Sequence, residues 1–429
     1  MDIKPTPISS ELEQYQKLAL DLVEAYRSGD SEALKRVEVY SGRKLTWAEL
    51  RAAVNQRLVK VPESGDSTVD ISLPDAQLLV ARRQGFESWQ RLAAHIESIN
   101  QPGSLVSKFE SAVDAVVAGD VVTLKRLLRE NSQLVRARST LVHQSTLLHY
   151  VSANGVEDFR QKTPKNAVEV AKILLAAGAE IDAVQADGQS TTLGLVATSV
   201  HPLVAGVQIE LLETLIDAGA AVDGASGGWN PLIAALHNGR GEAAMFLAKR
   251  GAQLDLEGAA GVGRLDVVRQ FFNEDGSLKA NATRAQMESG FIWACEYGQT
   301  STVEFLLKSG IALDATLRHN GQTGLHWAAY CAHTDIVKLL IERNAPVNVK
   351  DENFGGKPLG WALYGWSEPA PEGRRDNYYD VVSLLVAAGA TVDPEWLADP
   401  DRESPLAEKV RADLRMLAAL GSALPGTGS

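Results

Sequence analysis

The chain has 429 residues, 45% apolar and 22% charged, an ordinary globular composition that argues against disorder and leaves ample length for a buried core. Its formal net charge of −12 is spread along the chain, and its basic stretches, Arg126 to Arg138 and Arg374-Arg375, are short and interrupted, which argues against nucleic acid as a partner. Two cysteines, Cys295 and Cys331, are too few for a disulfide framework. With a start lacking an apolar segment and no long apolar window, this predicts a cytoplasmic chain that stays out of the membrane.

Residues 1–100 read as an N-terminal helical segment. Ser10 with Glu13, and Thr46 with Glu49, have capping-box spacing, and each opens a stretch with apolar residues at helical period: Leu12, Tyr15, Leu18 and Leu22, then Trp47, Leu50 and Val54. Gly29 before Asp30 and Ser31 reads as a helix stop and a new start. Pro74 suits a first helical turn, Gly85 ends that helix, and Trp89, Leu92 and Ile96 mark the apolar side of another. Residues 60–72 read as a loop, and Gln101-Pro102-Gly103-Ser104 as the boundary to a second domain over 105–420.

From residue 105 one phrase returns: an apolar helix ending in Leu-Leu or its equivalent, a small residue, Gly-Ala, then an aliphatic residue followed by Asp or Asn. It stands at Leu174 to Asp182 and Leu215 to Asp223, and again around Gly251, Gly310, Asn344 and Gly389. The Gly or Asn suits the left-handed turn that ends a helix. A second phrase opens each helix pair, as in Gly321-Gln322-Thr323-Gly324-Leu325-His326-Trp327-Ala328-Ala329 and Thr146-Leu147-Leu148-His149-Tyr150. A further helix from Pro405 to Leu420 would cover the last open apolar face.

These phrases, returning roughly every 30 to 45 residues, resemble the ankyrin repeat with its T-P-L-H-x-A signature. The resemblance covers 105–399, strongest over 319–350, good around 146, 231, 291 and 359, and weakest over 105–141 and 257–289; in other repeats Gly194, Ile233, Ile292 and Gly360 stand in place of the signature histidine. It implies an all-α solenoid of about eight helix-turn-helix repeats with a C-terminal capping helix. The whole chain, with its leader ending in Gly85-Phe86-Glu87-Ser88-Trp89, looks like bacterial ankyrin-repeat proteins.

The resemblance also implies a binding face. The residue after L-H and the two residues before the following glycine point toward a ligand in that family. Mapped here, the first offset holds Tyr150, Leu195, Ala234, Trp293, Trp327 and Trp361, with the three tryptophans 34 residues apart. The next row holds Thr198, His237, Glu296, Tyr330 and Tyr364, and the row beside it Asn154, Ser199, Asn238, Tyr297 and Cys331. Large rings on helices about 8 to 10 Å apart would form one strip, and aromatic side chains anchor interfaces well. Burial of these rings between helices, as core, remains the other reading of the same spacing. Insertions at Val156 to Asn166, His201 to Gln208 and Ser367 to Tyr378 would rim the groove, their charges solvated or shaping a pocket.

The resemblance makes His149, His326 and His333 structural, tying neighbouring turns together. His326, Cys331 and His333 lie within eight residues, but their offsets do not place three ligands on one helical side, and Gly258 to Gly263 follows no strand and lacks the Lys of a phosphate loop, so neither a metal nor a cofactor is expected. The expectation is a non-catalytic scaffold that takes a protein or peptide partner on Trp293, Glu296, Tyr297, Trp327, Tyr330, Trp361, Tyr364, His237, Tyr150 and Asn154. The alternative is a small-molecule or glycan binder, or an enzyme, using the same strip with Glu296 or His237 as its ionisable group.

Overall fold

A computed structural model of the chain describes residues 11–41, 44, 46–58, 70–317, 320–369, 374–392 and 404–421. Ser10 and most of the expected 60–72 loop lie outside them. Among the described residues the secondary structure is helix and turn, with isolated bridges such as Val184 to Thr191 and Thr316 to Thr323 in the turns that precede helix pairs. The described residues divide into two compact units, Met1–Ala234 and Ala235–Ser429, with the division inside the helix Pro231–His237, so the expected linker at 101–104 lies within the first unit.

In the first unit, helix α1 (Leu12–Ser28) buries Tyr15, Leu18, Ala19, Leu22 and Tyr26, the apolar stripe that its 3.6-residue period dictates. It ends at Gly29, whose left-handed φ of 63° an L side chain rarely adopts. Helices α2 (Ser31–Ser41), α3 (Trp47–Leu58), α4 (Leu73–Arg83) and α5 (Trp89–Asn100) complete the leader, with Thr46 and Ser72 capping α3 and α4 through reciprocal bonds to Glu49 and Asp75. The leader's core of Phe86, Leu92 and Ile96 also takes in Leu141 from beyond the boundary, and Val142 N–H donates to the Gly85 carbonyl at 2.8 Å. Helices α6 (Leu105–Ala118) and α7 (Val121–Glu130) follow, then α8 (Ala167–Ala176), α9 (Thr192–Thr198), α10 (Val200–Val204) and α11 (Gln208–Asp217).

In the second unit the pairs are regular. They include α12 (Arg284–Glu296) with α13 (Thr300–Lys308), α14 (Gly324–Tyr330) with α15 (Thr334–Glu342), and α16 (Pro358–Ser367) with α17 (Arg374–Ala387). Their inward faces share one core that runs from Leu256 through Phe291, Leu325, Ile336, Leu359 and Val382 to Met416 and Leu420. The expected single terminal helix is corrected to two, Pro405–Ala412 and Leu414–Leu420. Asp413 breaks it: its backbone leaves the helical region and its carboxylate accepts from Met416 N–H at 2.9 Å, so a new helix starts there.

Candidate partner-binding site

The turns set the site. In the turn before α14, the ring of His326 accepts from Thr323 N–H at Nδ1 (3.1 Å) and its Nε2 reaches the Gly356 carbonyl of the next turn (3.2 Å). His149 makes the same pair of contacts with Thr146 and Ser190. His333 Nε2 donates to the Glu296 carbonyl at 2.8 Å. These three histidines are occupied with tying turns and helices together. Burial lowers the pKa of each, to about 4 for His149, which keeps the rings neutral and able to accept as well as donate.

On the scaffold so fixed, four of the expected side chains come together. Trp327 and Trp361 have ring centroids 5.1 Å apart at 68°, Tyr330 lies 5.7 Å from Trp361 and 6.0 Å from Trp327, both edge to face, and Tyr364 stacks on Tyr330 at 6.2 Å. Edge-to-face and offset arrangements of this kind bring the positive ring edge onto the negative ring face. The two tryptophans and Tyr330 are half-buried, while Tyr364 is 52% exposed.

A fifth ring, Phe354, escaped the reading by offsets because it sits in a turn rather than on a helix. It is 80% exposed and lies 6.4 Å from Trp361. Its turn is built on Asp351, which is 3% exposed and accepts from the backbone N–H groups of Asn353, Phe354 and Gly356 at 2.7 to 2.9 Å and from the Trp361 indole at 3.0 Å. Burial opposes ionisation of Asp351, but these four donors prevail and hold its carboxyl below the usual range. An aromatic between an aspartate and a Gly-Gly pair was the signal available in the sequence.

The remaining expected residues stand elsewhere. Trp293 does not extend the strip outward: it is 4% exposed, and its indole donates to Glu257 at 2.8 Å. Glu257 also takes His237 Nε2 at 2.6 Å, and His237 packs on Trp293 with centroids 4.9 Å apart. Among the described residues no ring contact joins this group to the five-ring cluster. The acid that pairs with His237 is therefore Glu257, from the stretch where the repeat pattern is weakest. Tyr297 lays its ring over Gly241, where a Cβ would come within 2.5 Å, and donates its hydroxyl to the Leu236 carbonyl at 2.6 Å. Glu296 is 7% exposed with one carboxylate oxygen lacking a partner, and burial pushes its pKa up to about 8.

In the first unit, the expectation that Tyr150 faces outward is corrected. It is 1% exposed, edge-on to Phe109 and His143, and its hydroxyl donates to Glu157 at 3.2 Å. The cause is local: residues His149–Ser152 form a short 3-10 turn instead of an α-helix, and an offset counted at 3.6 residues per turn points the wrong way. Asn154 is half-buried and donates to Thr198 at 2.9 Å.

The insertions are likewise more ordered than solvated loops. In the first, Arg160 and Glu157 are each 8% exposed, and Arg160 pairs with Glu110 at 2.6 Å, Asp114 at 2.8 Å and Glu157 at 3.2 Å. The second folds into α10, tied back by Gln208 to the Val196 carbonyl at 2.9 Å. In the third, α17 already begins at Arg374, and Tyr378 donates to the Tyr330 carbonyl at 2.7 Å, bracing the ring cluster from below; Glu372 lies outside the described residues.

No helix of the described residues is long and apolar enough to cross a membrane, and no group of three or more His, Cys, Asp or Glu among them is placed to hold a metal ion. Both cysteines are free thiols.

A family model described as ankyrin repeats, three copies, matches residues 256–351 and 291–395. Ankyrin repeats are thus present in this part of the chain, and they coincide with the helix pairs that carry the ring cluster. No curated protein matches the chain. Among solved structures, the human ASB11 ankyrin repeat domain is similar at 18% identity and a TM-score of 0.33, over 66% of this chain and 99% of that one.

Proposed function

We propose that the chain is a binding scaffold that takes a segment of a protein partner on the five-ring cluster of Trp327, Tyr330, Phe354, Trp361 and Tyr364. Ankyrin repeats are generally protein–protein interaction scaffolds, and the cluster lies inside the repeats that the family model matches. The observation that carries the reading is the exposure of Phe354 and Tyr364, 80% and 52%, at the two ends of a continuous set of ring contacts. Leaving a phenylalanine in water forgoes about 1.5 to 3 kcal/mol that burial would recover, and a partner's apolar side chain recovers it. The half-buried rings behind them are pre-organised by Asp351 and Tyr378, so little side-chain freedom is lost on docking.

The test is capture of partners from a cell extract by the full chain and by a Phe354→Ser, Tyr364→Ser double variant, with helix content compared by circular dichroism. Proteins held by the native chain and released by a folded double variant support the reading. An identical set on both overturns it.

A second reading, a small molecule or glycan as ligand, draws support from Glu296, whose buried carboxyl, its pKa raised by desolvation, keeps one oxygen unpartnered beside Tyr297 and Cys331. It predicts that Glu296→Gln, and not the double ring variant, abolishes ligand binding.

A further inference from the structure

Away from the ring cluster, the first unit contains a cleft of about 180 Å³ lined by the end of α4 (Arg82, Arg83, Gln84, Gly85), the turn residues Leu141 and His143, and the first insertion from Gly155 to Phe159. Its volume is that of about six waters at ~30 Å³ each. That is below the ~300 Å³ at which drug-sized ligands begin, so it suits a molecule of few atoms.

The two walls differ in charge. On the α4 side, Arg83 makes no hydrogen bond at Nε and no ion pair among the described residues, and the like charge of Arg57 bears on it together with burial. A partly buried guanidinium without a counter-ion is costly, and an incoming anion relieves that cost. Beside it the amide oxygen of Gln84 is buried without a donor.

On the insertion side, Glu157 is held ionised: burial works against it, but His143 and Arg160 prevail and depress its pKa. One of its oxygens takes the Tyr150 hydroxyl and Arg160, whereas the other stands 3.5 Å from His143 Nε2 without a formed hydrogen bond. Asp158, exposed at the same rim, adds a second carboxylate. Between the walls lie the apolar surfaces of Leu141, Val156 and Phe159.

We propose that this cleft binds a free α-amino acid with a small aliphatic side chain. Its carboxylate is received by Arg83 with Arg82, its ammonium by Glu157, Asp158 and the Gln84 amide oxygen, and its side chain by Leu141, Val156 and Phe159. A simple anion would satisfy the cationic wall and crowd the acidic one, and a simple cation the reverse. A zwitterion answers both, and a free amino acid carries both charges on few atoms, as the small volume of the cleft requires.

Calorimetric titration of the full chain with glycine, L-alanine, L-valine and L-leucine tests this, against isovalerate, which lacks the ammonium of valine, and isobutylamine, which lacks its carboxylate. The expected result is saturable binding of at least one amino acid, with the analogue of valine lacking either charge at least about tenfold weaker, the loss that follows from removing one charged hydrogen bond. Arg83→Gln is expected to weaken the amino acid at least about tenfold with an unchanged melting temperature. Glu157→Gln should weaken the amino acid as much, while also lowering the melting temperature because Glu157 is a partner of Arg160, with Asp158→Asn as the substitute if that variant does not fold. No saturable binding of any of the four at about 10 mM, isovalerate binding as tightly as valine, or an Arg83→Gln variant of native affinity overturns the proposal.

Discussion

Asp351 and Trp361 are joined by a 3.0 Å hydrogen bond from the indole to a carboxylate that also gathers three backbone N–H groups of the turn carrying Phe354. One buried side chain therefore sets both the half-buried floor and the exposed tip of the ring cluster. Asp351→Ala leaves four donors without an acceptor. At about 1 to 3 kcal/mol for an unsatisfied buried group, and with water reaching some of them, the expected loss is about 2 to 4 kcal/mol. Urea unfolding measures it, and amide exchange at residues 353–356 should accelerate. The pH dependence has a fixed sign. The folded pKa lies below the unfolded value of about 3.9, so this stabilisation is present above that pH and is lost as pH falls through the folded value. Asp351→Asn should flatten that acid limb.

The rings themselves should separate into binding and packing groups. Phe354→Ser and Tyr364→Ser remove exposed side chains and should change stability by no more than about 0.5 kcal/mol. Trp327→Ala removes a ring that packs against the core of its unit, so it should weaken binding by about 2 kcal/mol and lower stability as well. Iodide quenching of tryptophan fluorescence reads the same division. Trp361→Phe should remove quenchable signal, whereas Trp293→Phe should remove signal that iodide does not reach, since Trp293 is 4% exposed.

In the first unit, Arg160 neutralises three carboxylates from two segments of the chain. Removing one partner of a buried ion cluster leaves uncompensated charge and costs about 3 to 5 kcal/mol, so Arg160→Met should lower the melting temperature sharply. Removing the charges together should not. The variant Arg160→Met, Glu110→Gln, Glu157→Gln is expected to recover much of that loss. Failure to recover would mean that the cluster's geometry, rather than its charge balance, holds the insertion in place.

What the sequence disclosed follows the strength of its local rules. The glycine-ended helices and the Thr-x-x-His turns were legible because each rests on a backbone requirement: a left-handed φ at Gly310 (80°) and Asn344 (63°), and a cap at Thr323. The offsets placed Trp327, Tyr330, Trp361 and Tyr364 together because α14 and α16 are regular helices in successive repeats. They failed for Tyr150, where a 3-10 turn replaces the helix, and for Trp293, drawn inward by Glu257, an acid in the stretch where the pattern fades. Phe354 was invisible to helical periodicity because a turn has none. The burial of Glu157 and Arg160 was illegible for a different reason: it depends on Glu110 and Asp114 arriving from α6, roughly fifty residues earlier in the chain.

Glu296 gives the sharpest pH test. Its carboxyl is buried, and desolvation outweighs the help it receives from Tyr297, so its folded pKa stands near 8 against about 4.3 unfolded. Between these values the folded chain holds a proton that the unfolded chain has released, so stability falls as pH rises across the window, by at most about 1.4 kcal/mol per pH unit. Above about pH 8 both states are ionised and the dependence ends. Glu296→Gln keeps the shape and removes the titration. The variant should match the native chain near pH 5, exceed it in stability at pH 8 to 9, and lack the downward slope between. Urea unfolding of both proteins from pH 5 to 9 decides it. Parallel profiles would show that Glu296 is ionised in the folded chain and meets a cation or water there, whereas diverging profiles show that the acid near Tyr297 and Cys331 is neutral.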